Sequence, residues 1–162
     1  MVQIDYDPVH ISYADLLDIF WSSHDPTGWQ GSRQYMRAVF FHDQDQQALA
    51  LASKASVQRQ AAAEVLTMVA PLRSFTLAED YHQKYLLKGY SELAREMIRI
   101  YPCKAQFLDS TAVARLNGYA GGYGGMEQLD REIGCLGLSP RGRGLINKLV
   151  KGRELFSASQ RI

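Results

Sequence analysis

The chain has 162 residues and a mass of 18.2 kDa, with 46% hydrophobic and 22% charged residues and a formal charge of +1, which excludes wholesale disorder and leaves room for one ordinary core. Two cysteines, Cys103 and Cys135, exclude a disulfide framework and make no CxxC pair for zinc, so a reducing, cytoplasmic setting is the default expectation. No apolar run approaches the roughly 20 residues that span a bilayer, and no membrane association is expected.

Val2, Ile4 and Tyr6 alternate with polar residues, the period of a half-buried strand, and Asp7-Pro8 ends it. Ser12 with Asp15 forms a capping box before a helical stripe of Leu16, Leu17, Phe20 and Trp21. Pro26, Gly28 and Gly31 break that helix. A second strand is expected over residues 36–41, and a helix from Asp43 to about Gln60, where Ala, Gln and Leu dominate. The apolar run 65–69, closed by Pro71, predicts a third strand, with residues 74–77 extending the pairing. Thr76 with Glu79 reads as another capping box. Leu77, Tyr81 and Tyr85 then repeat every fourth residue, Asp80 is placed to pair with Lys84, and Gly89 stands where a helix-ending glycine belongs.

Beyond Tyr101 three short helices are expected: residues 109–116 ended by Asn117-Gly118, residues 126–133 ended by Gly134, and one opened by Ser139-Pro140. The run 118–125, GYAGGYGG, lacks the Gly-Lys-Ser/Thr ending of a phosphate-binding loop and is read as a hinge between helices. This order predicts an α+β two-layer sandwich for residues 1–102 with a helical C-terminal extension over 103–162.

Charge is uneven: residues 1–32 hold five Asp and no Lys or Arg, whereas residues 141–162 hold six basic residues against Glu154. A solvated face is the expected use of that tail, and with no accompanying motif no nucleic acid is expected as a partner. His24-Asp25 and Asp80-Tyr81-His82 set imidazole beside carboxylate without metal-pair spacing, so paired structural hydrogen bonds are expected and a metal is not.

Three ordered segments resemble one family. VQIDYDPVHISYADLLDIFW, continued by His24-Asp25-Pro26-Thr27, is similar to the middle of the A-type methionine sulfoxide reductases, peptide-methionine (S)-S-oxide reductase. Residues 33–40, RQYMRAVF, resemble the family's TQYRSAI strand, and residues 78–85, AEDYHQKY, resemble its AEDYHQxY segment. The resemblance implies the family's sandwich fold and reduction of (S)-methionine sulfoxide in oxidised proteins or peptides. It further implies no cofactor beyond a thioredoxin-like reductant. The family's chemistry attacks the sulfoxide sulfur with an activated thiolate while an acid protonates the departing oxygen. The resulting sulfenic acid is resolved as a disulfide.

Carried over by position, Tyr35 matches the Tyr of TQYRS and, with Trp29, His24 and Asp25, makes up the candidate substrate-binding set. The loop 28–32 is shorter than the family's and lacks its Asp. The family's GCFW nucleophile, its Tyr-containing segment and its acidic donor lie upstream of VxYDP, and this chain begins at that strand without its first strand and helix. Its activity is therefore expected to be impaired or lost, the alternatives being a sulfoxide- or protein-binding module or one half of a complemented enzyme. Cys135, which follows Gly134, and Cys103 are the candidate redox cysteines. The plainer expectation is that each is a buried small hydrophobe.

Overall fold

A computed structural model describes residues 1–28 and 36–159, with side chains to residue 154. The chain forms two compact units, Met1–Thr76 and Leu77–Ile162. It is α+β: helices with one small parallel sheet.

In the first unit the predicted capping box starts α1, Tyr13–Ser22. Ser12 Oγ accepts from Asp15 N at 3.1 Å, and Asp15 Oδ2 accepts from Ser12 N at 2.8 Å. Strand β1, Ala38–Phe41, leads into α2, Gln44–Gln60, whose N-terminus Asp43 caps by accepting from Gln46 N at 2.8 Å. Strand β2, Met68–Pro71, then pairs parallel to β1 with Ala38 opposite Met68 and Phe41 opposite Pro71. Parallel neighbours require a crossover, and α2 is that crossover. Leu17, Trp21, Val39, Ala50 and Val65 form the buried core, and Trp21 Nε1 donates to Ser53 Oγ at 3.0 Å to fix α1 on α2.

Four strand expectations change. Residues 2–6 form no strand: Val2 is 83% exposed, and among the described residues no neighbouring strand takes up this stretch. Alternation selects a face, but only a neighbouring backbone makes a strand. The run 65–69 is displaced to Met68–Pro71 because Val65 is a core anchor whose N–H is taken by Gln58 Oε1 at 2.8 Å, and Leu66 N is taken by Pro26 O at 2.9 Å. Residues 74–77 lie outside the sheet, and β1 begins at Ala38 instead of Met36.

The second unit is helical: α3 Tyr85–Lys88, α4 Ser91–Ile100, α5 Lys104–Asp109, α6 Thr111–Gly121, α7 Met126–Glu132, a 3-10 turn Ile133–Cys135, and α8 Pro140–Ser159. Its core gathers thirteen buried residues, among them Leu87, Met97, Leu116, Leu129 and Ile146.

The helix expected from Thr76 shrinks to the four residues of α3. Leu77, Tyr81 and Tyr85 are exposed, so the repeat has no core to rest on, and Lys84 takes a left-handed φ of 50° that interrupts helical continuity. Asp80 pairs with Lys104, not Lys84. Helix α4, which the chain-order reading did not contain, buries Leu93, Ala94 and Met97. Residues 109–116 divide at Ser110, whose Oγ accepts from Val113 N at 3.3 Å and opens α6. Helix α6 runs on past Asn117-Gly118, because Asn117 Oδ1 accepts from Leu87 N at 3.1 Å instead of folding back on its own turn.

The glycine-rich run is a site of close approach. Gly122 ends α6 at φ 89°, and a Cβ there would stand 2.9 Å from Arg153 Nη1. At Gly125, the N-cap of α7, a Cβ would stand 2.7 Å from Glu154 Oε1. Arg153 donates to the carbonyls of Tyr119 (3.1 Å) and Ala120 (2.6 Å), while Glu154 Oε1 accepts from Met126 N at 2.7 Å. A cation thus closes the carbonyl end of α6 and an anion the amide end of α7, each with the favourable sign for that terminus.

Of the described basic residues of the tail, Arg141, Arg143, Lys148 and Lys151 are exposed, as a solvated face requires, and Arg153 is the half-buried exception. Arg153 is structural, Arg141 grips Glu92 through two nitrogens at 2.9–3.2 Å, and Arg143 Nε donates to Leu138 O at 3.1 Å.

Candidate functional site

The first unit holds a largely apolar cavity of about 650 Å³. Residues 1–4, α1 side chains including Tyr13 and Phe20, residues 36–40, and Leu72 and Phe75 bound it, and His24 lies on its wall.

His24 follows α1 directly, which brings its ring back onto the last turn of that helix. Nδ1 lies 2.8 Å from Phe20 O, an acceptor only, so Nδ1 carries the proton and donates. Nε2 is left to accept from Thr67 Oγ1 at 3.3 Å. Thr67 is fully buried, and its carbonyl accepts from Lys54 Nζ at 2.7 Å. Burial, above all, and the Arg37 charge lower the imidazole pKa, opposed by the Phe20 hydrogen bond and by Asp25. The ring is held neutral in one tautomer against Phe20, with centroids 4.6 Å apart.

Asp25 is spent on its own turn. Its Oδ1 accepts from Thr27 N at 2.9 Å and Thr27 Oγ1 at 2.7 Å, and these bonds hold the carboxyl below the usual carboxylate range. Arg37 Nη1 ties the turn to β1 by donating to Asp25 O at 2.7 Å and Gly28 O at 3.4 Å. His24 and Asp25 therefore share a rigid turn without pairing as acid and base.

Trp29 and Tyr35 lie outside the described residues. Cys103 and Cys135 both belong to the second unit and both are exposed, which corrects the expectation of buried thiols: Cys103 precedes α5 and Cys135 ends the 3-10 turn. His82 is also exposed, its ring tilted at 45° against Tyr81 with centroids 4.2 Å apart. Among the described residues no three His, Cys, Asp or Glu side chains converge as a metal site, and no helix is long and apolar enough to cross a membrane.

Sequence reading missed Arg37, Thr67 and Tyr13. Thr67 had a signal, as the one polar residue in Val65-Leu66-Thr67-Met68-Val69. Tyr13 lines the cavity, and its hydroxyl is buried without a hydrogen-bond partner among the described residues.

The family model described as peptide methionine sulfoxide reductase matches residues 1–116, and that of the selenoprotein methionine sulfoxide reductase A helical domain matches residues 106–150. The chain is 40% identical over 146 residues to the peptide methionine sulfoxide reductase of Drosophila melanogaster, covering 88% of this chain and 58% of that one. It is 42% identical over 94 residues to peptide methionine sulfoxide reductase MsrA of Methanosarcina mazei, covering 54% and 44%. To peptide methionine sulfoxide reductase A1 of Arabidopsis thaliana it is 40% identical over 94 residues, covering 55% and 46%. The chain spans about half the length of these curated relatives.

Proposed function

The chain belongs to the peptide methionine sulfoxide reductase family, and from that premise we propose that its first unit binds the methionine sulfoxide side chain of oxidised proteins for that reduction. The observation that carries this reading is the cavity of the first unit: an apolar wall for the methyl group, with a neutral imidazole of fixed tautomer beside a braced turn. On the resemblance alone, Trp29 and Tyr35 are proposed as substrate contacts, Tyr35 donating through its phenolic hydroxyl to the sulfoxide oxygen. In the reaction the oxygen passes to a thiolate, leaving a thioether and a sulfenic acid. A second thiol converts the sulfenic acid to a disulfide with loss of water, and a thioredoxin-like dithiol reduces that disulfide. Cys135 and Cys103 are proposed as candidate resolving thiols only, neither being the attacking thiolate. Residues 1–102 are proposed as the reductase-like part and 103–162 as its helical extension, an order that the family matches at 1–116 and 106–150 support without fixing the boundary.

A second reading, a non-catalytic binding module, is favoured by one fact: residues 1–76 contain no cysteine. Both readings are tested by titrating the purified chain with a methionine sulfoxide peptide and its methionine twin while following tryptophan fluorescence, and by assaying thioredoxin-dependent turnover. The proposal expects preference for the oxidised peptide, loss of that preference in Tyr35→Phe, and no turnover. Equal responses to the two peptides refute binding. Turnover that disappears in Cys103→Ser or Cys135→Ser shows that the chain is a complete catalyst.

A further inference from the structure

The chain has two asparagines, Asn117 and Asn147, followed by Gly118 and Lys148. An asparagine before glycine is the pair that loses its side-chain amide most readily, because no side chain on the next residue hinders the backbone nitrogen that attacks it. Packing does not account for this glycine. At Gly121, Gly124 and Gly125 a Cβ would stand 2.7 Å from Leu86 Cδ1, Tyr119 Cε1 and Glu154 Oε1, whereas at Gly118 no atom of the described residues lies within 4 Å. Alanine would fit there and hold the helix better.

Two constraints keep the reacting atoms apart in the folded chain. Asn117 Oδ1 accepts from Leu87 N at 3.1 Å, which fixes the amide against α3. Gly118 lies inside α6, where the helical pattern commits its N–H to Ala114 O. Its nitrogen and Asn117 Cγ meet only when this turn unwinds. The turn is weak by composition, since Gly118 and Gly121 both fall in the last four residues of α6. It is held from α8: Arg153 donates to Tyr119 O at 3.1 Å, to Ala120 O at 2.6 Å and to the Tyr90 hydroxyl at 3.0 Å. The two carbonyls belong to the residues that directly follow the reactive pair.

We propose that Asn117-Gly118 is a deamidation site latched shut by Arg153, so that the second unit keeps a permanent mark of long-lived openings of α6. In the opened turn Gly118 N attacks Asn117 Cγ. The new C–N bond closes a succinimide, the Cγ–Nδ2 bond breaks, and ammonia leaves with the proton given up by the Gly118 N–H. Water then opens the ring at either carbonyl, leaving aspartate or isoaspartate at position 117. Isoaspartate adds a methylene to the backbone, so α6 cannot resume its register beyond Leu116 and Leu87 N loses its acceptor. The opening then becomes irreversible. None of this depends on the substrate of the first unit.

The test incubates the full chain at mildly alkaline pH, digests it, and quantifies aspartate and isoaspartate at positions 117 and 147 by peptide mass mapping. In urea, Asn117 is expected to react at least about tenfold faster than in the folded chain, with Asn147 as the slow internal reference. Arg153→Ala, shown to be folded by circular dichroism, is expected to raise the rate at Asn117 about tenfold, equivalent to about 1.4 kcal/mol of lost protection. Tyr90→Phe, which removes one of the bonds of Arg153, should move it the same way by less. Gly118→Ala should suppress the reaction even in urea. Equal rates at Asn117 in the folded and unfolded chain overturn the proposal, as does an unchanged rate in folded Arg153→Ala. If that variant does not fold, an unchanged rate in Tyr90→Phe overturns it. An equal rise in Leu138→Ala, a core substitution outside the latch, at the same loss of melting temperature overturns it in favour of general destabilisation.

Discussion

The two units bury their apolar residues differently. The second unit surrounds thirteen buried residues with seven short elements and meets its buried polar groups internally: Tyr119 Oη donates to Glu132, which Arg115 also grips, and Arg153 serves two carbonyls and the Tyr90 hydroxyl. Among its described residues the first unit has five buried core residues, an open cavity, a one-sided strand and an orphan hydroxyl. One is a finished scaffold. The other keeps unsatisfied surface gathered in one place, which is where binding is expected to reside.

Substitutions can break this contrast. Leu116→Ala, at a fully buried position of α6, is expected to cost about 2–5 kcal/mol, and Leu17→Ala in the thinner core only the low end of that range. Urea denaturation of the full chain measures both, and equal losses would show that the first unit is as tightly packed as the second. Tyr119→Phe should cost about 1.5–3 kcal/mol by removing a hydrogen bond to a charged group. Burial first, and then Glu132, holds that phenol well above its ordinary pKa, so a spectrophotometric titration should show it protonated wherever exposed tyrosines have ionised. Tyr13→Phe should have the opposite sign, neutral or stabilising by up to about 1 kcal/mol, because it deletes a buried hydroxyl that has no partner. A loss of more than that in thermal melts would mean the hydroxyl is already engaged.

The smallest effect is one of pH. The folded pKa of His24 lies below its unfolded value near 6.5, so the unfolded chain takes up the proton first as pH falls. The stability from burying the neutral ring is complete above about pH 6.5 and is lost as pH falls through that value towards the folded pKa. His24→Gln should flatten the stability profile in that window alone, and an unchanged slope would show that the ring is not held neutral.

Features set by adjacent residues were legible: the capping box of Ser12 and Asp15, the helix that begins at Asp43, and the break after α1. Inferences that needed a distant surface held where one arrived, as for the α1 stripe at Leu17 and Trp21 and for β1, and failed where none did. Val2, Ile4 and Tyr6 have strand periodicity and no paired neighbour; Leu77, Tyr81 and Tyr85 have helix periodicity and no core beneath them. Within the site, His24 was visible as a motif, but its partner Thr67 stands 43 residues away and Lys54 reaches Thr67 from α2, so its neutral tautomer depends on packing. Periodicity tells which side of an element is apolar, not whether anything arrives to cover it.

The adjacent Arg153 and Glu154 impose an order in time. They close the end of α6 and the start of α7 from positions about 30 residues further along the chain, and the glycines at 122 and 125 leave room for nothing else at those points. A ribosome emits residues at about 5–20 per second, so for a second or more during synthesis the α6–α7 connection exists with its helix ends uncovered. The second unit therefore closes late, when α8 is almost fully made, whereas α1, α2 and both strands of the first unit have long since emerged.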